Sequence, residues 1–266
     1  MIHLHVHSDK SDGSLTPSQL VDLAGQMHLH AFALTDHDTI AGLTQAKQVG
    51  VKQGIEVVGG IEFSTEYHGH DIHIVGLFVD ETDPDFQKRL YHFVDSRDLR
   101  NQKLCANLRK AGVDISCERL QEIFPDSVIT RAHMASYLLS QGYVKSRSEA
   151  FERYIGDHTQ YFVPREKITP CQAIDLLLQT RSIPVLAHPT LYGFGKEALE
   201  NLVGELTQAG LVAIETFYST YTTAQQREIC KLARSFGLLP SGGSDFHGAN
   251  KPGLQIGIGY GTLNVG

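Results

Sequence analysis

The sequence predicts an α/β fold, either a parallel barrel or an open wound sheet, with a helical insertion near its middle. Three observations lead there. About seven short apolar segments of strand character alternate with helical patterns outside residues 95–165. Residues 95–165 interrupt that rhythm with helical patterns alone. His, Asp and Glu recur at the ends of successive strand segments, as they do where parallel strands share one rim.

Each element has a local reason. Ile2 to Val6 alternates apolar residues with His, so it reads as a strand with His3, His5 and His7 on one face. Thr16-Pro17 supplies an N-cap and a first-turn proline for a helix to about Met27. Ala31 to Leu34 is a short buried strand that ends in Thr35-Asp36-His37-Asp38. A helix is expected from about Thr39 to Gln53, a strand from Ile55 towards Phe63, and another over Asp71 to Val79. In 95–165, helical patterns fall near 95–111, 116–124, 131–142 and 147–156. The alternation then resumes with helices over 170–181, 196–209 and 222–236 and strands over Ile183–Ala187, Leu211–Phe217 and Leu239–Gly243. The domain reading is a barrel of 1–94 with 166–266, and an insertion of 95–165.

Composition narrows the class. With 41% apolar and 20% charged residues, 266 residues suffice for a large core. No apolar run approaches the roughly 20 residues that span a bilayer. The start, MIHLHVHSDKSDG, lacks the basic flank and apolar run of a secretory signal, so a cytoplasmic location is expected. Cys105, Cys117, Cys171 and Cys230 lie too far apart for paired zinc-knuckle spacing. No dinucleotide or Walker glycine loop occurs. The formal charge of −7 argues against bulk electrostatic binding of nucleic acid. That charge is uneven: 95–165 holds 11 Lys plus Arg against 9 Asp plus Glu, whereas the rest holds 12 against 21. Nine of the 14 histidines also lie in the first 73 residues, in the acidic part.

The residues at the strand ends are metal-ligand types. His5 and His7 close the first strand, with Asp12 in the next loop; His37 closes the second and Glu62 the third. His73 lies in the fourth, His188 closes IPVLAH, and Asp245 and His247 follow the last strand. Singly, each has an ordinary reading as a surface or core-edge residue, as do His28, His30, His68, His70, His92 and His158. Together, nine ionisable groups on one rim are costly unless cations compensate them. Imidazole suits Zn, Fe and Mn, and carboxylates can bridge two ions. Three divalent ions would bring roughly +6 to a segment that carries −9, so an acidic chain can still hold an anionic substrate.

HLHVHS followed by SDG, TDHD, GIEFS, HIVGL, AHP and GSDFH, in that order, resembles the PHP (polymerase and histidinol phosphatase) superfamily over residues 1 to about 250. Within it the pattern is similar to the TrpH-like or YciV-like branch of stand-alone phosphoesterases, which includes 3′,5′-nucleoside bisphosphate phosphatase. That branch carries a helical insertion after HIVGL, with a motif similar to ITRAH at 129–133. The resemblance implies a distorted (β/α)7 barrel and two or three divalent ions, usually Mn, sometimes Zn, Fe or Mg. It implies His5, His7, Asp12, His37, Glu62, His73, His188, Asp245 and His247 as metal ligands. Arg131 and His133 match substrate-phosphate contacts, and Arg131 suits bidentate phosphate binding.

The implied activity is hydrolysis of the 3′-phosphate of nucleoside 3′,5′-bisphosphates, extending to 5′→3′ trimming of short 5′-phosphorylated RNA. Attack of a metal-bound hydroxide on phosphorus is the expected chemistry. Glu62 is expected to bridge ions, with His37 and Asp245 steering the nucleophile and Asp36 and Asp38 orienting imidazoles. A general acid, for which His188 or His247 could serve, is not required where metal stabilises the leaving oxygen. The expected partner is a small nucleotide or a short RNA end, with no membrane and no obligate protein partner. Two other readings compete: another PHP phosphomonoesterase such as histidinol-phosphate phosphatase, and a non-catalytic, metal-stabilised accessory module. The insertion and ITRAH oppose the former; the complete ligand set opposes the latter. Two features depart from the family pattern: His3 stands where Asp is common, and related proteins often continue with another helix where this sequence has the tail GLQIGIGYGTLNVG.

Overall fold

Among the described residues, seven strands hydrogen-bond in the order in which they occur in the chain, β1 to β7. They belong to a computed structural model that describes residues 1–164, 168–261 and 263–265, with the backbone alone at 92–95. The chain forms two compact units, Met1–Lys88 with Ile168–Gly266, and Arg89–Lys167. The expected boundary at 165/166 lies outside the described residues. Among the described residues, no helix is long and apolar enough to cross a membrane.

The first unit holds the sheet. Its strands are β1 (Ile2–Val6), β2 (Ala31–Leu34), β3 (Glu56–Tyr67), β4 (His70–Leu77), β5 (Ile183–Leu186), β6 (Ala213–Tyr218) and β7 (Leu239–Gly243). The β1–β2, β2–β3, β5–β6 and β6–β7 pairs are parallel, but β4 runs antiparallel to both β3 and β5. This corrects the all-parallel expectation, and the cause is local. Only His68 and Gly69 separate β3 from β4, with φ of 50° and 82°, the positive pair that a tight hairpin requires. A two-residue link cannot make the long crossover that parallel pairing needs. The barrel nearly closes where Val6 bridges Phe246, with the His7 amide donating to Phe246 O at 2.9 Å and the Asp245 amide to His5 O at 3.0 Å. Phe32, Leu34, Leu20 and Val21 pack beneath this seam with Phe246 and Ile256, so the tail contributes to the core.

The surrounding helices are α1 (Pro17–Gln26), α2 (Leu43–Gln53), α7 (Pro170–Gln179), α8 (Lys196–Gln208) and α9 (Thr223–Ser235). Three of them begin with one device: Thr16, Thr169 and Thr222 accept from the third helical amide, whose Gln side chain reaches back. Helix α2 starts at Leu43, later than the expected Thr39. Asp38 is left-handed (φ 53°) and the Thr39 hydroxyl accepts the Ala41 amide, so the chain from 38 to 42 is a loop that presents His37.

The second unit is helical. Most of helix α3 (Pro84–Lys110) belongs to it; the helix begins within the first unit after Asp83, whose carboxylate accepts the Asp85 and Phe86 amides. It is followed by α4 (Cys117–Ile123), α5 (Arg131–Ser140), α6 (Arg147–Ala150) and a π-helical turn over Phe151–Ile155. Leu104, Leu108, Leu120, Met134 and Leu138 form a core of its own.

Candidate metal centre

The first unit brings all nine expected ligand residues together. Glu62 is at the centre, with only 1% of its surface exposed. Its Oε2 lies 3.1 Å from His5 Nε2, 3.0 Å from His7 Nε2 and 3.2 Å from His37 Nδ1. Its Oε1 lies 2.8 Å from His73 Nδ1 and 3.0 Å from His188 Nε2. Asp245 Oδ1 faces His7 Nε2 at 3.2 Å and His5 Nε2 at 3.5 Å. Asp12 Oδ1 is 3.1 Å from His247 Nε2 and 3.8 Å from His37 Nε2. Strand β4 runs backwards, yet His73 still meets Glu62, because antiparallel pairing sets His73 beside Ser64, two residues from Glu62.

Eight of the nine residues form three overlapping groups, His7, Asp12, His37 and His247; His5, His7, Glu62 and Asp245; and His37, Glu62 and His73, while His188 adjoins them through Glu62 Oε1. A divalent ion with ligands at about 2.0–2.2 Å holds neighbouring ligand atoms roughly 3.0–3.5 Å apart. The spacings around Glu62 and Asp245 match that edge length. Asp12 Oδ1, His37 Nδ1 and Asp245 Oδ1 are also buried without a well-formed hydrogen bond, which is costly for polar atoms that no cation compensates. The donor set is nitrogen and oxygen only, so the residues fit divalent ions.

Electrostatics reflects the crowding. Burial works against charge on His7, but hydrogen bonds and charge from Asp245 and Glu62 prevail and lift its pKa to about 9. His5 rises well above its usual value although burial opposes it, through Glu62, Asp245 and Glu215. His37 goes the other way, with burial driving it down to about 3. Burial would also protonate Glu62, Asp245 and Asp12. The imidazoles around them, with Lys251 beside Asp245, hold all three carboxyls well below the usual range.

The backbone is strained at or beside three of these residues. Asp38, His188 and Asp245 have φ of 53°, 28° and 54°, and such residues cost about 1–3 kcal/mol each. Two motif glycines are needed for space. A Cβ on Gly13 would come within 2.4 Å of His7 O, and one on Gly243 within 2.4 Å of His5 Cβ.

Several residues not expected at the site are built into it. Glu215 receives His5 Nδ1 at 3.2 Å and the His188 amide at 2.7 Å. Asp245 Oδ2 accepts Tyr218 Oη at 2.6 Å and Lys251 Nζ at 2.5 Å. His247 Nδ1 donates to Asp245 O at 2.8 Å, which turns Nε2 towards Asp12. The orienting role expected of Asp36 and Asp38 takes another form. Asp36 accepts the Ser8 amide and the Ser8 and Ser11 hydroxyls, and Asp38 accepts the Ser64 amide, so both fix loops. His3 belongs to the seam: its Nδ1 accepts the Ser244 amide and its Nε2 donates to Gly257 O, which ties the tail to β1.

Arg131 and His133 lie in the second unit. Arg131 pairs with Asp157, donates to Ile155 O at 3.3 Å and stands 5.9 Å from the Phe151 ring. His133 is the third residue of α5 and its Nδ1 accepts the Thr130 amide at 3.0 Å, which leaves the proton on Nε2.

Known proteins resemble the chain over most of its length. The chain is 35% identical over 244 residues to a 5′-3′ exoribonuclease of Haemophilus influenzae, covering 92% of this chain and 89% of that one. It is 31% identical over 258 residues to a 3′,5′-nucleoside bisphosphate phosphatase of Chromobacterium violaceum, covering 96% and 90%. A solved structure, described as an amidohydrolase from Chromobacterium violaceum with bound sulfate and no metal, superposes with a TM-score of 0.87 at 31% identity. It covers 96% of this chain and 89% of that one. The PHP domain matches residues 3–231, and the chain belongs to the PHP-domain family.

Proposed function

We propose that the protein is a metal-dependent phosphoesterase of the cytoplasm. In this reading it removes the 3′-phosphate of nucleoside 3′,5′-bisphosphates and trims short 5′-phosphorylated RNA from the 5′ end. One observation carries the proposal: nine His, Asp and Glu side chains, Glu62 among them, gather in one centre, with five imidazoles around Glu62 at ligand-to-ligand spacing. The relatives named an exoribonuclease and a bisphosphate phosphatase support the same substrate class.

The ions in this reading are two or three in number, with Mn favoured over Zn, Fe or Mg. When bound, they supply charge stabilisation, a lowered pKa for water and an in-line template. Glu62 presents Oε2 to the His5, His7 and His37 side and Oε1 to the His73 and His188 side, so one carboxylate serves two neighbouring positions. Asp245 keeps Oδ1 for the centre because Tyr218 and Lys251 hold Oδ2. His37, neutral because of burial, presents Nδ1 towards Glu62 and Nε2 towards Asp12. With Asp245 it orients the attacking water. Arg131 and His133 are assigned to neutralising the phosphate that is not cleaved, or the leaving side. The ITRAH motif supports this assignment.

The test is a phosphate-release panel with defined metal loading. Nucleoside 3′,5′-bisphosphates and short 5′-phosphorylated RNA should react, and histidinol phosphate should be a poor substrate. Preference for histidinol phosphate would replace this reading with the other phosphomonoesterase.

A further inference from the structure

We infer that Glu215 is a positioning residue that sets two metal ligands at once, His5 through its ring and His188 through its backbone. Glu215 lies in β6 and is 2% exposed, yet the ligand set does not need it as a donor to metal. Its two oxygens are committed elsewhere: Oε1 faces His5 Nδ1 at 3.2 Å and Oε2 accepts the His188 amide at 2.7 Å. A carboxylate can only accept, so the ring nitrogen that faces it must carry hydrogen. His5 is thereby forced to present Nε2, the atom that lies 3.1 Å from Glu62 Oε2. The opposite tautomer would set two acceptors against each other in a buried space.

The second contact acts on the backbone. His188 has φ 28° and ψ 53°, a conformation a non-glycine residue adopts only when its surroundings impose it. The hydrogen bond from its amide to a buried carboxylate is such an imposition, and it aims His188 Nε2 at Glu62 Oε1, 3.0 Å away. Glu215 therefore fixes one imidazole on each side of the central carboxylate. A break in the strand makes this possible. The β6–β7 register slips between Glu215, paired with Ser241, and Phe217, paired with Gly242. One extra residue in β6 re-aims the end of the strand, so Glu215 and Tyr218, three apart, both reach the centre, whereas a regular strand would send them to opposite faces.

The inference rests on the metal-centre reading, not on which ester is cleaved, so its test reads metal rather than turnover. Glu215→Gln keeps size but can accept from only one of the two donors and turns an amide hydrogen on the other. We expect Mn2+ affinity, measured by calorimetry on the full-length protein, to fall 10- to 100-fold, the usual loss for a residue behind a ligand. Glu215→Ala should lose at least as much. Thr216→Val, on the same strand and bonded to Ser241 O, should bind as the unaltered protein does. A second measurement needs no variant. In the Zn-loaded protein labelled with 15N-histidine, His5 should carry its proton on Nδ1 and bind through Nε2. Unchanged affinity in Glu215→Gln, or His5 bound through Nδ1, would overturn the assignment. Tight metal binding without phosphate release would instead count against the proposed function and leave Glu215 untouched.

Discussion

Replacing Glu62 by Gln is the most informative single change in the centre. The substitution keeps volume and removes the charge shared by five imidazoles, His5, His7, His37, His73 and His188, at 2.8–3.2 Å. Glu62 is buried, so water cannot take over, and stripping one partner from a buried charge pair costs about 3–5 kcal/mol. At about 1.4 kcal/mol per factor of ten, Mn2+ affinity should fall by roughly a hundred- to several-thousand-fold. The loss should appear as missing metal in the purified variant, by mass spectrometry and by calorimetric titration, and phosphate release should fall with it. The metal-free state offers a further signature. Glu62 helps to raise His7 to about 9, so without its charge His7 titrates lower and releases less proton when metal binds. Full metal content with wild-type affinity would refute the bridging role, whatever happened to the rate.

Three other perturbations test the same geometry. Arg131→Ala should weaken binding of a bisphosphate substrate by about 1.5–3 kcal/mol, seen as a raised KM, and an unchanged KM would remove Arg131 from the substrate contact. Metal binding near neutral pH should release protons, because His7 is charged below about 9 in the metal-free fold and must be neutral to ligate; His37, at about 3, contributes none. Apparent affinity should therefore climb from pH 6 towards pH 9, and calorimetry in buffers of different ionisation enthalpy should show the proton. The sign for stability is opposite. With its folded pKa above the unfolded value of about 6.5, His7 stabilises the metal-free protein below that pH and loses the contribution as pH passes 9. Melting of the chelated protein that rose steadily over this range would contradict it. Tyr218→Phe removes one of two donors on Asp245 Oδ2; since Lys251 still holds that oxygen, Mn2+ affinity should drop only about tenfold, the low end for a hydrogen bond to a charged group.

Much of the centre was legible because ligand chemistry and strand periodicity coincide in the sequence. His5 and His7 alternate on or just past one strand, and His37, His188 and Asp245 each stand just past a strand end, whereas Glu62, read as closing its strand, lies inside β3, which runs on to Tyr67. Helix starts were legible for a similar reason: Thr-Pro or Thr with Gln three residues on is a local device. The parts that escaped depend on contacts made across the fold. Glu215 is one acid in an apolar strand, and nothing local shows that a bulge turns it and Tyr218 to the same place. Lys251 comes after the last motif without any pattern of its own. Asp36 and Asp38 flank His37, which suggests imidazole partners, but their oxygens accept from Ser8, Ser11 and Ser64. The reversal of β4 has a local signal that the sequence reading does not use, His68-Gly69 between two alternating runs.

Phosphate release from 3′-phosphoadenosine 5′-phosphate, by protein stripped of metal and then reloaded with Mn2+, tests the central claim most directly. The chelated protein should release nothing. Once Mn2+ is restored, inorganic phosphate should appear, with adenosine 5′-phosphate as the other product. Protein with Mn2+ shown to be bound at the Glu62 centre, but unable to cleave that substrate or a short 5′-phosphorylated RNA, would contradict the claim.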